Sequence, residues 1–390
     1  MGVLYDRRSF LKGSLALCAG LTTLGGLRRS GWGSMDTGWS RPSLPIEKVI
    51  LPRAVDIRVV GVGGAGCTSV EGMIRACIHG VNFIAIHTDE GALSRSSAGK
   101  HLLIGTDTPR NCHSCTAMRG EWAVQHPYGG IYSAPYSNKR APGCGACDDP
   151  RVGRKAAEDD VAALAATIIG ADIVFIVAGL GDGTGTGAAP VIARIARDMS
   201  ILSVGLVSLP FRFEGEARTI RAQEGLSELE TVADSVITIQ TPSILAKATP
   251  ETTIEDAFRV IDDAMRHAVA VIPDILTIPG FVAVDYHDVR ALVPKMRRAT
   301  VGYGVGHGTH RARDAAHASI VSLLLTGGSI RDAAGMILHI RGDFHFSMDE
   351  LASIIDTVTS AVGADTPILY SAIPADFGPD ILQVSLMAGR

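Results

Sequence analysis

Gly181-Asp182-Gly183-Thr184-Gly185-Thr186-Gly187 follows the apolar run Asp172-Ile173-Val174-Phe175-Ile176-Val177-Ala178 and precedes Ala188-Ala189-Pro190. The run has no polar alternation, which predicts a central strand covered on both faces. Pro190 fits the first turn of a helix. Glycines let backbone N–H groups approach an anion, a helix N-terminus adds positive partial charge, and Thr184 and Thr186 supply hydroxyl donors. The stretch reads as a strand–turn–helix phosphate cradle. A pair of tight turns serving only packing is the plainer alternative, and the alternation of Gly and Thr speaks against it.

A second glycine loop lies upstream. Asp56-Ile57-Arg58-Val59-Val60 reads as a strand, Gly61-Val62-Gly63-Gly64-Ala65-Gly66 as a turn, and the residues through about Ile78 as a helix. Asn82-Phe83-Ile84-Ala85-Ile86 is the next strand, parallel to the first because a crossover separates them, and it ends at His87-Thr88-Asp89. Gly61, Gly63 and Gly66 match G-x-G-x-x-G, and Asp89 stands 23 residues past Gly66. Alone, this is a dinucleotide fingerprint and would favour an NAD-dependent oxidoreductase. Two such loops in one sheet point instead to a ligand richer in phosphate.

The 390 residues suit two domains and a tail. Hydrophobic residues make up 46% and charged residues 19%, the balance of a folded chain with a sizeable core. The net charge of −4 gives no electrostatic case for nucleic acid as the main partner. No apolar run reaches the roughly 20 residues of a membrane span. Asp6-Arg7-Arg8-Ser9-Phe10-Leu11-Lys12, with the weakly apolar stretch through Leu21, resembles a twin-arginine export signal, but no A-x-A site follows. The alternatives are a tail, or a start at Met35. A cytoplasmic location is the expectation, because a protein that binds a phosphate-rich nucleotide needs a supply of it.

The expected organisation is a tail over 1–50, a nucleotide-binding domain over 51–250 with an inserted Cys-rich loop at about 106–147, a central helix over 251–279, and a C-terminal α+β domain over 280–390. The first domain is expected to be α/β, a doubly wound and mostly parallel sheet. Further strands are placed at Leu202–Leu209 and Ser235–Ile239, and an amphipathic helix at Val152–Ile169. In the C-terminal domain, helices are placed near 286–298, 310–325 and 348–362. Its strands are placed at Gly335–Ile340, Pro367–Ile373 and Ile381–Leu386.

At this point the chain resembles the tubulin/FtsZ GTPase family. Gly181–Gly187 is similar to the signature GGGTGTG, with Asp182 at a glycine. Gly61–Cys67 resembles the first phosphate loop, Thr88-Asp89 with Ala92-Leu93 the loop NTDxxAL, and Gly143–Pro150 the loop GLGAGxDP. Pro210–Gly215 with Arg218 resembles PFxFEGxxR, and Ile278–Val289 the loop RPGLxNVDFADV. The order holds from about residue 55 to 390, closer to FtsZ than to tubulin.

The resemblance implies GTP or GDP with Mg²⁺ as ligands. It assigns the phosphates to Gly63, Gly64 and Gly66 and to Gly183, Thr184, Gly185, Thr186 and Gly187, and further GTP contacts to Ala65, Cys67, Asp89, Gly143, Gly145 and Ala146. Glu214 and Arg218 would meet the ribose and base side, Phe258 would stack on guanine, and Asp263 would accept from guanine N1 and N2. Asp285 and Asp288 would act as catalytic carboxylates in the pocket of the neighbouring subunit. The partner is then a second copy in a head-to-tail homopolymer, or another FtsZ-type subunit, and the role cell division. Read without the resemblance, Asp285 and Asp288 are a solvated helix start and Phe258 is core.

The sequence departs from the family at Ala283, Thr68 and Thr241 (each usually Asn), at His87, and at Asp182, whose charge would repel a triphosphate unless Mg²⁺ lies between. Slow or altered hydrolysis is expected. A nucleotide-binding regulatory or structural paralogue is the alternative. The chain ends at Arg390 without the family's terminal peptide, so direct recruitment by membrane tethers is not expected. Cys112-x₂-Cys115 and Cys144-x₂-Cys147, separated by 28 residues, form two CxxC pairs. They read as a four-thiolate Zn²⁺ or iron–sulfur site, with His113 and His126 as substitute ligands. A redox pair and free thiols are the alternatives.

Overall fold

The computed structural model describes residues 55–105, 146, 148–241, 253–325, 330–363, 366–375, 377–378 and 380–390. The N-terminal tail and all four cysteines of the CxxC pairs lie outside the described residues, as do Gly143 and Gly145.

The N-terminal half is built on six parallel strands: β1 (Ile57–Val62), β2 (Val81–His87), β3 (Lys100–Leu103), β4 (Ile173–Gly179), β5 (Leu202–Ser208) and β6 (Ser235–Ile239). Their spatial order is β3-β2-β1-β4-β5-β6. Two layers of helices cover them. On one face α1 (Gly63–Arg75) and the long α7 (Ile254–Thr277) bury Val59, Phe175, Val177 and Leu206. On the other, α3 (Pro150–Asp159), α4 (Val161–Ile168), α5 (Gly183–Asp198) and α6 (Glu216–Val232) bury Val60, Val174, Ile176 and Val207. Every residue of β4 is buried, as its unbroken apolar run requires. The short α2 (Glu90–Leu93) follows β2.

The C-terminal half comprises α8 (Tyr286–Leu292), β7 (Arg298–His307), α9 (Arg311–Leu325), β8 (Gly335–Gly342), α10 (Met348–Ala361), β9 (Ile368–Pro374) and β10 (Ile381–Gly389). Its strands continue the same sheet in the order β7-β10-β8-β9, because β7 pairs with β6 through Val236–Arg298 and Ile237–Ala299. The fold is therefore α/β with a mostly parallel sheet, a long central helix and a C-terminal α+β unit, and one ten-stranded sheet runs through both halves.

Local expectations are corrected: α5 already begins at Gly183, so Pro190 stands inside the helix and not in its first turn. The helix expected to 298 ends at Leu292, and Arg298–His307, not read as a strand, is β7. Its alternate glycines serve close packing: a Cβ at Gly302, Gly304 or Gly306 would lie 2.1, 2.2 or 1.9 Å from a carbonyl oxygen of α9. Helix Val152–Ile169 divides at Asp160 into α3 and α4. Lys100–Leu103 is a four-residue edge strand without a readable run.

His267 of α7 stacks on Tyr303 of β7 with centroids 3.8 Å apart, and its Nδ1 donates to the Asp263 carbonyl at 2.8 Å. Burial, then the Arg266 charge, lowers its pKa from 6.5 to about 4. The unfolded chain therefore takes up this proton first. The stabilisation is fully present above about pH 6.5 and is lost as pH falls toward 4. Urea midpoints at pH 7 and pH 5 are expected to differ less in His267→Phe than in the native chain.

Candidate functional site

The two glycine loops close at one place. β1 and β4 are parallel neighbours, yet α1 leaves β1 toward one face of the sheet and α5 leaves β4 toward the other. This is the point at which an open α/β sheet reverses its winding, and its crevice lies beyond the carboxyl ends of the strands. Gly63 begins α1 with φ +74°, and a Cβ there would lie 2.8 Å from the Gly185 nitrogen. Gly181 (φ +105°) donates its N–H to Thr186 Oγ1 at 2.8 Å, and Thr184 Oγ1 lies 2.8 Å from Thr88 Oγ1 at the end of β2. Two helix N-termini thus converge, each carrying unpaired N–H groups and positive partial charge.

A cavity of about 230 Å³ opens beside them, lined by Ala65, Thr68, Ser69, Gly179, Leu180, Asp182, Ser208–Phe211, Glu214, Arg218, Thr241, Phe258, Ile261 and Asp262. Phe258, 47% exposed, stands edge-on to Phe211 at 5.3 Å, and Phe211 stacks on Phe213 at 5.0 Å. This is an open aromatic edge suited to a planar ring. Glu214 Oε1 accepts from the Phe211 N–H at 2.7 Å, and Glu214 Oε2 pairs with Arg218 NH1 at 3.1 Å. Arg218 also pairs with Asp182. Burial raises the Asp182 pKa against the opposing pull of Arg218, with Asp148 and Glu214 adding to the rise.

Several expected site residues stand elsewhere or face another way. Asp263 is turned to solvent and pairs with Arg266 at 3.2 Å; Asp262 lines the cavity instead, accepts from Ser69 Oγ at 2.8 Å, and has its pKa raised by burial. Helix spacing carries the missed signal, since Phe258 and Asp262 are i and i+4 and share a face, whereas Asp263 is turned away from it. The Cys67 thiol faces the core, where burial pushes its pKa up to about 11. Asp89 caps α2 by accepting from the Gly91 N–H at 2.8 Å and receives the lone pair of His87 Nδ1 on its own N–H at 2.8 Å; burial keeps that imidazole below its usual pKa. Ala146 is buried against the start of α5, where a Cβ at Gly183 would meet its Cβ at 2.6 Å. Thr68 donates to the Gly64 carbonyl at 3.0 Å and Thr241 to the Pro210 carbonyl at 3.0 Å.

Asp285 and Asp288 form a capping box at the start of α8: Asp285 accepts from the Asp288 N–H at 3.0 Å, and Asp288 from the Asp285 N–H at 3.4 Å. α8 is anchored at the amino ends of the strands. Tyr286 OH donates to the carbonyl of Asp172, just before β4, and Arg290 donates to that of Ser200, just before β5. The cavity is at the carboxyl ends. Seven-residue β4 and β5 separate the two by about 23 Å, so these carboxylates do not reach their own chain's cavity.

A parallel sheet with its switch-point crevice between two glycine-rich helix N-termini, and an aromatic edge beyond, defines a nucleotide-binding α/β protein. The matches to known proteins narrow this. Residues 133–248 match the Tubulin/FtsZ family GTPase domain, and residues 297–389 the FtsZ family C-terminal domain. The cell division protein FtsZ of Wigglesworthia glossinidia brevipalpis is 34% identical over 342 residues, 88% of this chain and 81% of that protein. FtsZ of Buchnera aphidicola subsp. Schizaphis graminum is 35% identical over 343 residues, with the same coverage. The empty FtsZ dimer of M. jannaschii superposes with a TM-score of 0.73 at 29% identity, covering 86% of this chain and 88% of that one. CetZ2 from Haloferax volcanii shares the fold, with a TM-score of 0.65 at 19% identity over 86% and 93%. The chain belongs to the FtsZ family of tubulin-related GTPases.

Among the described residues no group of three or more His, Cys, Asp or Glu is arranged to hold a metal. No described helix is long and apolar enough to cross a membrane.

Proposed function

We propose that this chain binds GTP in the switch-point cavity and assembles head to tail with copies of itself in cell division, hydrolysing GTP where two subunits meet. The observation that carries this reading is the separation of parts: the cavity at one end of the sheet, Asp285 and Asp288 at the other. The converging N–H groups at Gly63–Gly66 and Gly183–Gly187 hold the phosphates. Glu214 and Arg218 hold the ribose side, and Phe258 packs on the base. Phosphoryl transfer asks mostly for positioning and charge stabilisation, so Asp285 and Asp288 of one copy can complete the next copy's site by orienting water. Mg²⁺, a hard cation suited to oxygen ligands, fits the carboxylate of Asp182 and would neutralise charge on the phosphoryl oxygens. Such a contact does not close on itself, and filaments follow.

Nucleotide extracted from purified protein is expected to be GDP or GTP, with turnover per subunit rising with protein concentration. Turnover that is independent of concentration sinks the shared site; a high concentration-dependent rate matching ordinary FtsZ sinks the expectation that Ala283 and Asp182 slow hydrolysis. Other FtsZ-type subunits are a second partner class, tested by co-sedimentation, and a cytoplasmic location is tested by fractionation. Cys112, Cys115, Cys144 and Cys147 are proposed as a Zn²⁺ or iron–sulfur set acting on the neighbouring Ala146 contact. Protein purified without oxygen and found free of Zn and Fe, with assembly unchanged in Cys112→Ser, overturns it.

Asp262 is the carboxylate proposed to read guanine N1 and N2. Asp262→Asn is expected to weaken GDP binding by about 10–100-fold and to narrow the preference over ADP. Asp263→Asn should leave both unchanged in the same titration.

A further inference from the structure

The cavity is acidic for a site meant to hold phosphates. Among the described residues, Asp182, Glu214 and Asp262 line it against the single guanidinium of Arg218. Asp182 stands at the cap of α5 but makes no capping bond to it; its carboxylate turns to Arg218 instead. The stem of Arg218 lies across the phosphate loop, so that a Cβ at Gly181 would meet its Cγ at 2.7 Å. Arg218 is thereby shared between Asp182 and Glu214, and its buried Nε has no partner among the described residues. Within the described lining one cation serves two carboxylates; the next guanidinium, Arg221, is outside the lining and donates to the Gly181 carbonyl at 3.1 Å.

We propose that Asp182 is a specificity-determining residue that restricts this pocket to nucleotide complexed with a divalent cation. The inference rests on the guanine-nucleotide reading of the cavity. Free nucleotide meets a fixed negative charge at the mouth of the phosphate loop. Cation-bound nucleotide brings its own countercharge and gives that carboxylate a second partner beside Arg218. A glycine at this position would leave the helix N-termini unopposed, and the pocket would then take free and cation-bound nucleotide more evenly.

The test is equilibrium binding of a fluorescent GDP to the full chain, in Mg²⁺ and in EDTA at matched ionic strength. Binding of the native chain is expected to weaken by at least about 30-fold without Mg²⁺, on the scale that one unpaired charge beside a charged ligand sets. Asp182→Gly should bind about tenfold more tightly than the native chain in EDTA and depend on Mg²⁺ only about threefold. Asp182→Asn, which keeps the side-chain volume, should behave like Asp182→Gly. Equal Mg²⁺ dependence in the native chain and both variants overturns the proposal, and so does native-like dependence in Asp182→Asn. A native chain that binds no guanine nucleotide in either buffer overturns the reading of the cavity instead.

Discussion

Asp285→Asn is expected to lower GTP turnover by about 100-fold or more while nucleotide binding stays unchanged. The two effects separate because α8 is anchored at the amino end of β4 and the cavity opens at its carboxyl end, a strand length of about 23 Å away. Stability should hold as well: Asp285 caps α8, and Asn caps a helix about as well as Asp. Mixing gives the sharper test. Asp285→Asn subunits keep an intact cavity, and subunits disabled in the cavity keep intact carboxylates. In a random equimolar copolymer about one quarter of the junctions pair the intact halves, so turnover should rise well above that of either variant alone. A mixture no faster than its components would show that each chain hydrolyses GTP within itself.

The same residue marks the limit of what sequence could say. Asp285 and Asp288 read as a helix start, and they are one. The catalytic role proposed for them comes from the family order, and its support from where α8 sits relative to the cavity, which depends on contacts with the Asp172 and Ser200 carbonyls that no local pattern encodes. The phosphate loops were legible because their chemistry is local: a buried strand, glycines and a helix start in immediate succession. β7 was hidden because Gly302, Gly304 and Gly306 look like turn residues, when their lack of side chains is what lets α9 lie on the strand. Asp262 and Asp263 are adjacent acids that the motif order does not separate; the Ser69 hydroxyl, far away in the chain, holds Asp262 on the inward face. Cys67 sits in the phosphate-loop segment, but α1 turns its thiol to the core.

Gly63→Ala is expected to cost about 100-fold in nucleotide affinity with only about 1–2 kcal/mol of stability, the usual penalty for an L-residue in the left-handed region. Gly63 holds φ +74° where β1 passes into α1, and an added Cβ would stand 2.8 Å from the Gly185 nitrogen and 3.3 Å from Thr184 Cβ. Neither neighbour is a flexible side-chain end, so the starts of α1 and α5 must move apart. That displacement falls on the N–H groups proposed to hold the phosphates together, and donors aimed at a small anion lose much of their value when misplaced by a fraction of an ångström. Gly64→Ala is the matched control. The nearest atom to its added Cβ is His87 Nε2 at 3.8 Å, an ordinary contact, and the backbone there needs no glycine. Its affinity should stay within about threefold of the native value. Fluorescent-nucleotide titration and thermal melting of both variants decide the matter. Native-like affinity in Gly63→Ala would mean that the two loops do not act on one ligand, and that the cradle is a packing device after all.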